Sequence, residues 1–119
     1  MLNNILSISG GLWKPSPVDQ VPTLELASWT VYEVLGKDGV SKEYHFVGYN
    51  ITEYEGRVSS KIINYDKESK TGVTRSGRQY ILRGESGFNS DAAYVWNNWC
   101  SFNKVNNFID VSKEFTNQS

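Results

Sequence analysis

The residues best suited to binding chemistry lie in one short turn, where Arg75 and Arg78 flank Ser76 and Gly77. A guanidinium donates two parallel hydrogen bonds to a phosphate or carboxylate, so two of them beside a serine hydroxyl suit an anion. The run lacks the Gly-Lys-Ser/Thr ending of a phosphate-cradling loop and precedes a strand rather than a helix. The turn therefore predicts an anion contact and excludes a nucleotide-hydrolase signature.

This turn belongs to a cationic segment from Arg57 to Arg83. The segment carries seven positive and two negative side chains, a local net charge of +5, whereas the remainder carries −6 and the whole chain −1. Basic side chains interleaved with aromatic ones suit a nucleotide or single-stranded nucleic acid. The alternative is a solvated hairpin whose charges discourage edge pairing. The predicted ligand-binding residues are Arg57, Arg75, Ser76, Arg78, Tyr80 and Arg83.

Few residues fit a catalytic centre. A single histidine, His45, excludes paired-histidine metal binding, and Cys100 falls on an apolar helical stripe rather than beside a base. Glu53 and Glu55 share a face if their segment is extended, so either carboxylate could serve acid/base work with His45. We predict a protein without catalytic residues, metal or cofactor, and keep a small His/Glu enzyme as the alternative.

The length and composition of the chain predict a single domain. The 119 residues suffice for a single core. One cysteine rules out an internal disulfide, and the first residues match neither a signal peptide nor a membrane span. We therefore expect a cytoplasmic protein with no membrane contact. The predicted divisions are an N-terminal arm and proline-containing connector (1–24), a sheet-plus-helix core (25–111) and a frayed tail (112–119).

Hydrophobic patterning predicts an α+β fold, with a curved antiparallel sheet of about five strands and one C-terminal helix. Residues 55–85 contain three apolar runs separated by polar turns, which is typical of an antiparallel meander. The expected strands cover about 25–35, 44–51, 57–65, 73–75 and 78–83, with a short edge strand at 108–111. In the last strand of the meander, Arg78, Tyr80 and Leu82 share one face.

The segment from Asp91 to Phe102 changes to a helical period. Apolar residues recur three and four apart, and Asn89 or Ser90 can cap the first turn. We expect this helix to pack a tryptophan-rich stripe on the sheet. The stripe comprises Ala92, Val95, Trp96, Trp99 and Cys100.

From Trp29 to Trp99 the chain resembles a family of small uncharacterised bacterial proteins. The resemblance rests on His45–Asn50, Glu55–Ser60, Gly72–Arg78 with Tyr80 and Leu82, and Asp91–Trp96 with Trp99. That family has no established activity, so the resemblance implies no catalytic or ligand residues. It implies a mobile genetic element as a context.

These observations favour a non-enzymatic binding module whose basic hairpin face contacts an anionic ligand or nucleic acid. The alternative from another class is a protein–protein interaction module, which could be a homodimer joined through exposed aromatic residues or a sheet edge.

Overall fold

A computed structural model describes residues 22–116, which form one mixed sheet, one α-helix and a short 3-10 helix. The strands are β1 (Thr23–Leu35), β2 (Lys42–Asn50), β3 (Glu55–Val58), β4 (Ile62–Asp66), β5 (Thr71–Thr74), β6 (Gln79–Leu82) and β7 (Ile109–Asp110). The α-helix, α1, spans Ser90–Asn103, and the 3-10 helix spans Ser112–Phe115. The α+β class predicted from the sequence is confirmed.

The strands lie in the order β3-β2-β1-β6-β5-β4, and the two-residue β7 also pairs with β1. Neighbours pair antiparallel except β1 and β6, which are parallel over Thr23–Leu26 and Gln79–Leu82. The meander is therefore β4-β5-β6, and it joins the rest of the sheet through a parallel pairing that the antiparallel prediction does not contain.

A bulge in β1 keeps the apolar side chains on either side of it on one face of the sheet. Leu24 and Leu26 are buried, and so are Trp29 and Val31, although simple alternation would put the two pairs on opposite faces. The register with β2 shifts between Ala27 and Thr30, where one residue adopts a positive φ. The extra residue restores the apolar side chains to the same face.

The two faces carry separate apolar clusters. The helix covers one face, where Val34, Val47 and Val58 meet the buried stripe of α1. The predicted helix and its tryptophan stripe are confirmed: Ala92, Trp96, Trp99 and Cys100 are buried, and Asn89 caps the first turn by accepting from Ala92 N.

The opposite face is concave and is filled mainly by aromatic side chains. Phe46 contacts Tyr80 and Tyr65, and its ring lies against Gly72, where a Cβ would be 2.4 Å from Cζ. Because Phe46 belongs to β2 and Gly72 to β5, this contact shows how far the sheet curls. Phe115 of the 3-10 helix closes the cluster by packing on Tyr65.

Two sequence-based boundaries are wrong. The single strand expected over 57–65 is two strands, because the pairing of β3 with β2 ends at Val58 and residues 59–61 lead on to β4. The tail expected to fray from Ser112 is anchored: Ser112 Oγ accepts from Val31 N at 3.0 Å, and Tyr65 donates to Phe115 O. Of the arm and connector predicted over residues 1–24, residues 1–21 lie outside the described part of the chain, as do residues 117–119.

Candidate functional site

The predicted cationic surface is not a single outward-facing patch. Arg57 and Arg78 are buried, with 6% and 4% of their surface exposed. Arg83 is exposed but forms an ion pair with Glu25, with 2.7 Å between Nε and Oε1. Arg75 is the only one of these arginines that lies exposed at the tip of the β5–β6 turn. The expectation of one shared surface is therefore wrong, because the strands turn neighbouring residues to opposite faces.

Arg57 reaches into the concave interior. Its Nε donates to the Tyr80 hydroxyl at 3.3 Å and its Nη1 contacts Glu55 Oε2 at 3.1 Å. Burial would lower the pKa of Arg57, but Tyr80 and Glu55 outweigh burial and raise it, so the group stays charged. Tyr80 is itself 2% exposed and is not available as a stacking platform.

Arg75 and Ser76 are positioned by the connector between β3 and β4. Arg75 N donates to Lys61 O at 2.8 Å, and Ser76 N donates to Ser60 Oγ at 3.1 Å. The Ser76 hydroxyl is used locally, accepting from Arg78 N and contacting Thr74 Oγ1. The tip therefore holds one guanidinium rather than the predicted pair.

The same connector fixes the only histidine of the chain. Ser59 N donates to Phe46 O, and His45 Nδ1 lies 2.8 Å from Ser59 O. A carbonyl oxygen can only accept, so Nδ1 carries the proton and Nε2 presents a lone pair when the ring is neutral. Three consecutive residues thus hold both His45 and Arg75, which are thirty positions apart in the chain.

His45 and Arg75 meet at a cleft of about 670 Å³ between the end of the β1–β2 hairpin and the C-terminal end of α1. Polar and aromatic side chains from four elements line it: Lys37, Glu43, His45, Arg75, Trp99 and Lys104. We call this the hairpin–helix cleft. Its floor is formed by His45 and Trp99, whose rings lie 4.6 Å apart.

Two buried ring nitrogens on this floor are not hydrogen-bonded within the described part of the chain. His45 Nε2 and Trp99 Nε1 make no hydrogen bond to any residue of 22–116. The nearest acid is Glu43, whose Oε1 is 3.7 Å from Nε2. Neutral His45 therefore turns a lone pair toward a carboxylate, an arrangement that a proton or a hydrogen-bond donor would stabilise.

The charges around the cleft favour an anion. Lys37, Arg75 and Lys104 come from three separate elements and face one carboxylate, Glu43. The helix C-terminus would oppose an anion, but carbonyl groups near this end of the helix already accept capping bonds. Lys104 N and Val105 N donate to Cys100 O, and the Asn103 side chain donates to Trp99 O.

The other groups considered for catalysis are not arranged for it. Burial raises the pKa of Cys100 to about 11, so the thiol stays protonated at neutral pH, the reverse of an activated nucleophile. Glu55 is bound by Arg57. The carboxylate beside His45 is Glu43, two residues earlier on the same strand, and not Glu53 or Glu55.

His45 makes stability depend on pH. Burial is the main cause that lowers its pKa below the ordinary 6.5, so between the two values the folded protein binds fewer protons than the unfolded chain. We expect the free energy of unfolding to fall below about pH 6.5, by at most about 1.4 kcal/mol per pH unit from this group. Urea unfolding across that range measures it.

The control for this pH dependence is His45→Asn, which keeps a side-chain N–H for Ser59 O and has no group at the position of Nε2. Its unfolding free energy should lose the histidine contribution while retaining that of the carboxylates. An unchanged slope in this variant would show that other groups produce the dependence.

Comparisons with known proteins add no assignment. No protein-family model matches the chain, and no curated protein or solved structure shows significant similarity. The resemblance to small bacterial proteins therefore stays a prediction. Among residues 22–116, no helix is long and apolar enough to cross a membrane, and no three His, Cys, Asp or Glu side chains cluster as metal ligands would.

Proposed function

We propose that this protein is a binding module for a small anion, which it holds in the hairpin–helix cleft. The observation that carries the proposal is the convergence of Lys37, Arg75 and Lys104 on a cleft floored by His45 and Trp99. The cleft's volume lies within the range of small-molecule sites. The ligand class is an organic or inorganic oxyanion, because guanidinium and ammonium groups supply the charged hydrogen-bond donors.

This proposal keeps the anionic ligand expected from the sequence but changes the residues that contact it. Arg75 is the only member of the predicted set that lines the cleft. A small anion also fits better than nucleic acid, because Arg57 and Arg78 are buried and Arg83 is paired, so they give no extended cationic track.

The test compares Arg75→Ala with Lys67→Ala. Both remove one exposed positive charge from the same meander, but Lys67 lies in the β4–β5 turn and does not line the cleft. With sodium sulfate as the probe in calorimetric titration, we expect Arg75→Ala to weaken binding about tenfold, or ~1.4 kcal/mol. Unfolding free energy should change by less than about 0.5 kcal/mol in both variants, as for exposed residues generally.

A second variant tests the opposite wall. Lys104 caps α1 with a positive φ, so Lys104→Gly removes the cation while keeping that backbone conformation. It should weaken sulfate binding to a similar extent as Arg75→Ala. Equal affinities in wild type, Arg75→Ala and Lys104→Gly would contradict the proposal. Native mass spectrometry of freshly purified protein detects any co-purifying anion. The same spectrum gives the number of subunits, which tests the alternative of a homodimeric interaction module.

A further inference from the structure

The Glu43–His45 pair at the cleft floor can take up one proton. The carboxylate of Glu43 is 26% exposed and the imidazole of His45 is 4% exposed, with 3.7 Å between Oε1 and Nε2. Since Nδ1 already donates to Ser59 O, any proton taken up by the ring must bind Nε2. There it lies between the ring and the carboxylate.

Charged or titratable groups lie on every element around that proton. They are Glu43 on β2, Lys37 in the β1–β2 turn, Arg75 in the β5–β6 turn, and Lys104 and Cys100 from the end of α1. Burial and the positive charge of Arg75 disfavour protonation of His45, whereas Glu43 and the Ser59 carbonyl favour it. The Cys100 thiol is neutral and adds no charge at neutral pH.

An anion in the cleft would change this balance. It would lie against Arg75 and compensate the positive charge that repels a proton from His45. Resting on the proposed function, we infer that the cleft takes up its anion together with one proton, which binds His45 Nε2 and is shared with the Glu43 carboxylate. The proton comes from solvent through the partly exposed Glu43, and no covalent bond to the anion forms.

This coupling makes His45 a determinant of affinity without placing it in contact with the anion. Binding should strengthen as pH falls, by about tenfold per pH unit between the titration midpoints of the free and bound protein. The probe anion must keep a constant charge over this pH range, because the pH dependence of binding then comes from the protein alone. Sulfate meets that condition.

The single histidine gives an unambiguous measurement. NMR of the His45 imidazole in tag-free protein reports its titration midpoint in sodium sulfate and in sodium chloride of equal ionic strength. We expect saturating sulfate to raise the midpoint by about one pH unit. Calorimetry of sulfate binding at a pH between these two midpoints, in two buffers of different ionisation enthalpy, should show net proton uptake.

Two variants separate coupling from structure. His45→Asn removes the proton site, so its affinity for sulfate should be the same at about pH 5.5 and about pH 8. Glu43→Gln removes the partner that shares the proton and leaves the ring in place, so its sulfate affinity should vary less with pH than in wild type. The second variant keeps the test decisive if the first fails to fold.

The outcomes distinguish this inference from the function on which it rests. Sulfate binding that depends on Arg75 but leaves the His45 midpoint unchanged would overturn the proton coupling alone. Absence of sulfate binding to wild type between about pH 5.5 and about pH 8 would overturn both.

Discussion

Replacing Gly56 by alanine should destabilise the fold by about 3 kcal/mol or more, as overpacking against backbone does in its severe cases. A Cβ at this position would lie 2.4 Å from the carbonyl carbon and oxygen of Asp91 and 2.7 Å from Ala92 N. These are backbone atoms in the first turn of α1 and cannot rotate away. The helix would have to lift from β3, which loosens the contact of Val58 with the tryptophan stripe.

The matched control is Gly87→Ala. There the nearest atom to a new Cβ is Ser28 Cα at 3.9 Å, an ordinary contact, and φ is not positive. Its unfolding free energy should stay within about 0.5 kcal/mol of wild type. Urea unfolding measures both variants. Similar losses in the two would contradict the close packing of β3 against α1.

Replacing Arg57 by methionine should cost about 3–5 kcal/mol of unfolding free energy, because it leaves the largely buried carboxylate of Glu55 without its cation. The guanidinium and carboxylate are only 7% and 13% exposed. The loss should appear in urea unfolding at neutral pH. A second change, Glu55→Gln, should recover part of the loss by removing the buried negative charge.

Arg83→Met is the control for this pair. Its contact with Glu25 is shorter, 2.7 Å against 3.1 Å, but the two side chains are 54% and 39% exposed. Solvent screens such a pair, so we expect a loss below about 1 kcal/mol. If both arginine variants lost the same free energy, burial would not be what distinguishes the two ion pairs.

Local patterning accounts for the elements that were predicted well. The helical period of the tryptophan stripe and the cap at Asn89 place α1 within one residue of its bounds, Ser90–Asn103. The turn at Gly36–Gly39 likewise separates β1 from β2. These features depend on neighbours in the chain, where propensity and alternation act directly.

The missed features depend on residues far apart in sequence. Nothing local indicates that Thr23 pairs with Gln79 in a parallel ladder, or that residues 59–61 cross from one part of the sheet to another. The burial of Arg78 had a visible signal, since it shares a strand face with Tyr80 and Leu82, which are both core residues. The local excess of positive charge along the chain does not show that this side chain lies on the buried face.

Only part of the hairpin–helix cleft could be predicted from the sequence. Glu43 and His45 stand two residues apart on one strand and so share a face, which alternation predicts. Their meeting with Arg75 and Trp99 requires the curl of the sheet and the docking of α1. Both are set by packing, as in the contact of Phe46 with Gly72, and neither can be read from spacing.

The most direct measurement of the central claim is a sulfate titration followed through the indole N–H signals of the tryptophans. Trp99 lies on the cleft floor, whereas Trp29 belongs to the opposite cluster and donates its indole N–H to Gly84 O at 3.1 Å. We predict that the Trp99 signal shifts and saturates while Trp29 stays unchanged at matched ionic strength, and that Arg75→Ala removes the saturation. Equal unsaturated shifts of both signals, or none, would contradict an anion site in the hairpin–helix cleft.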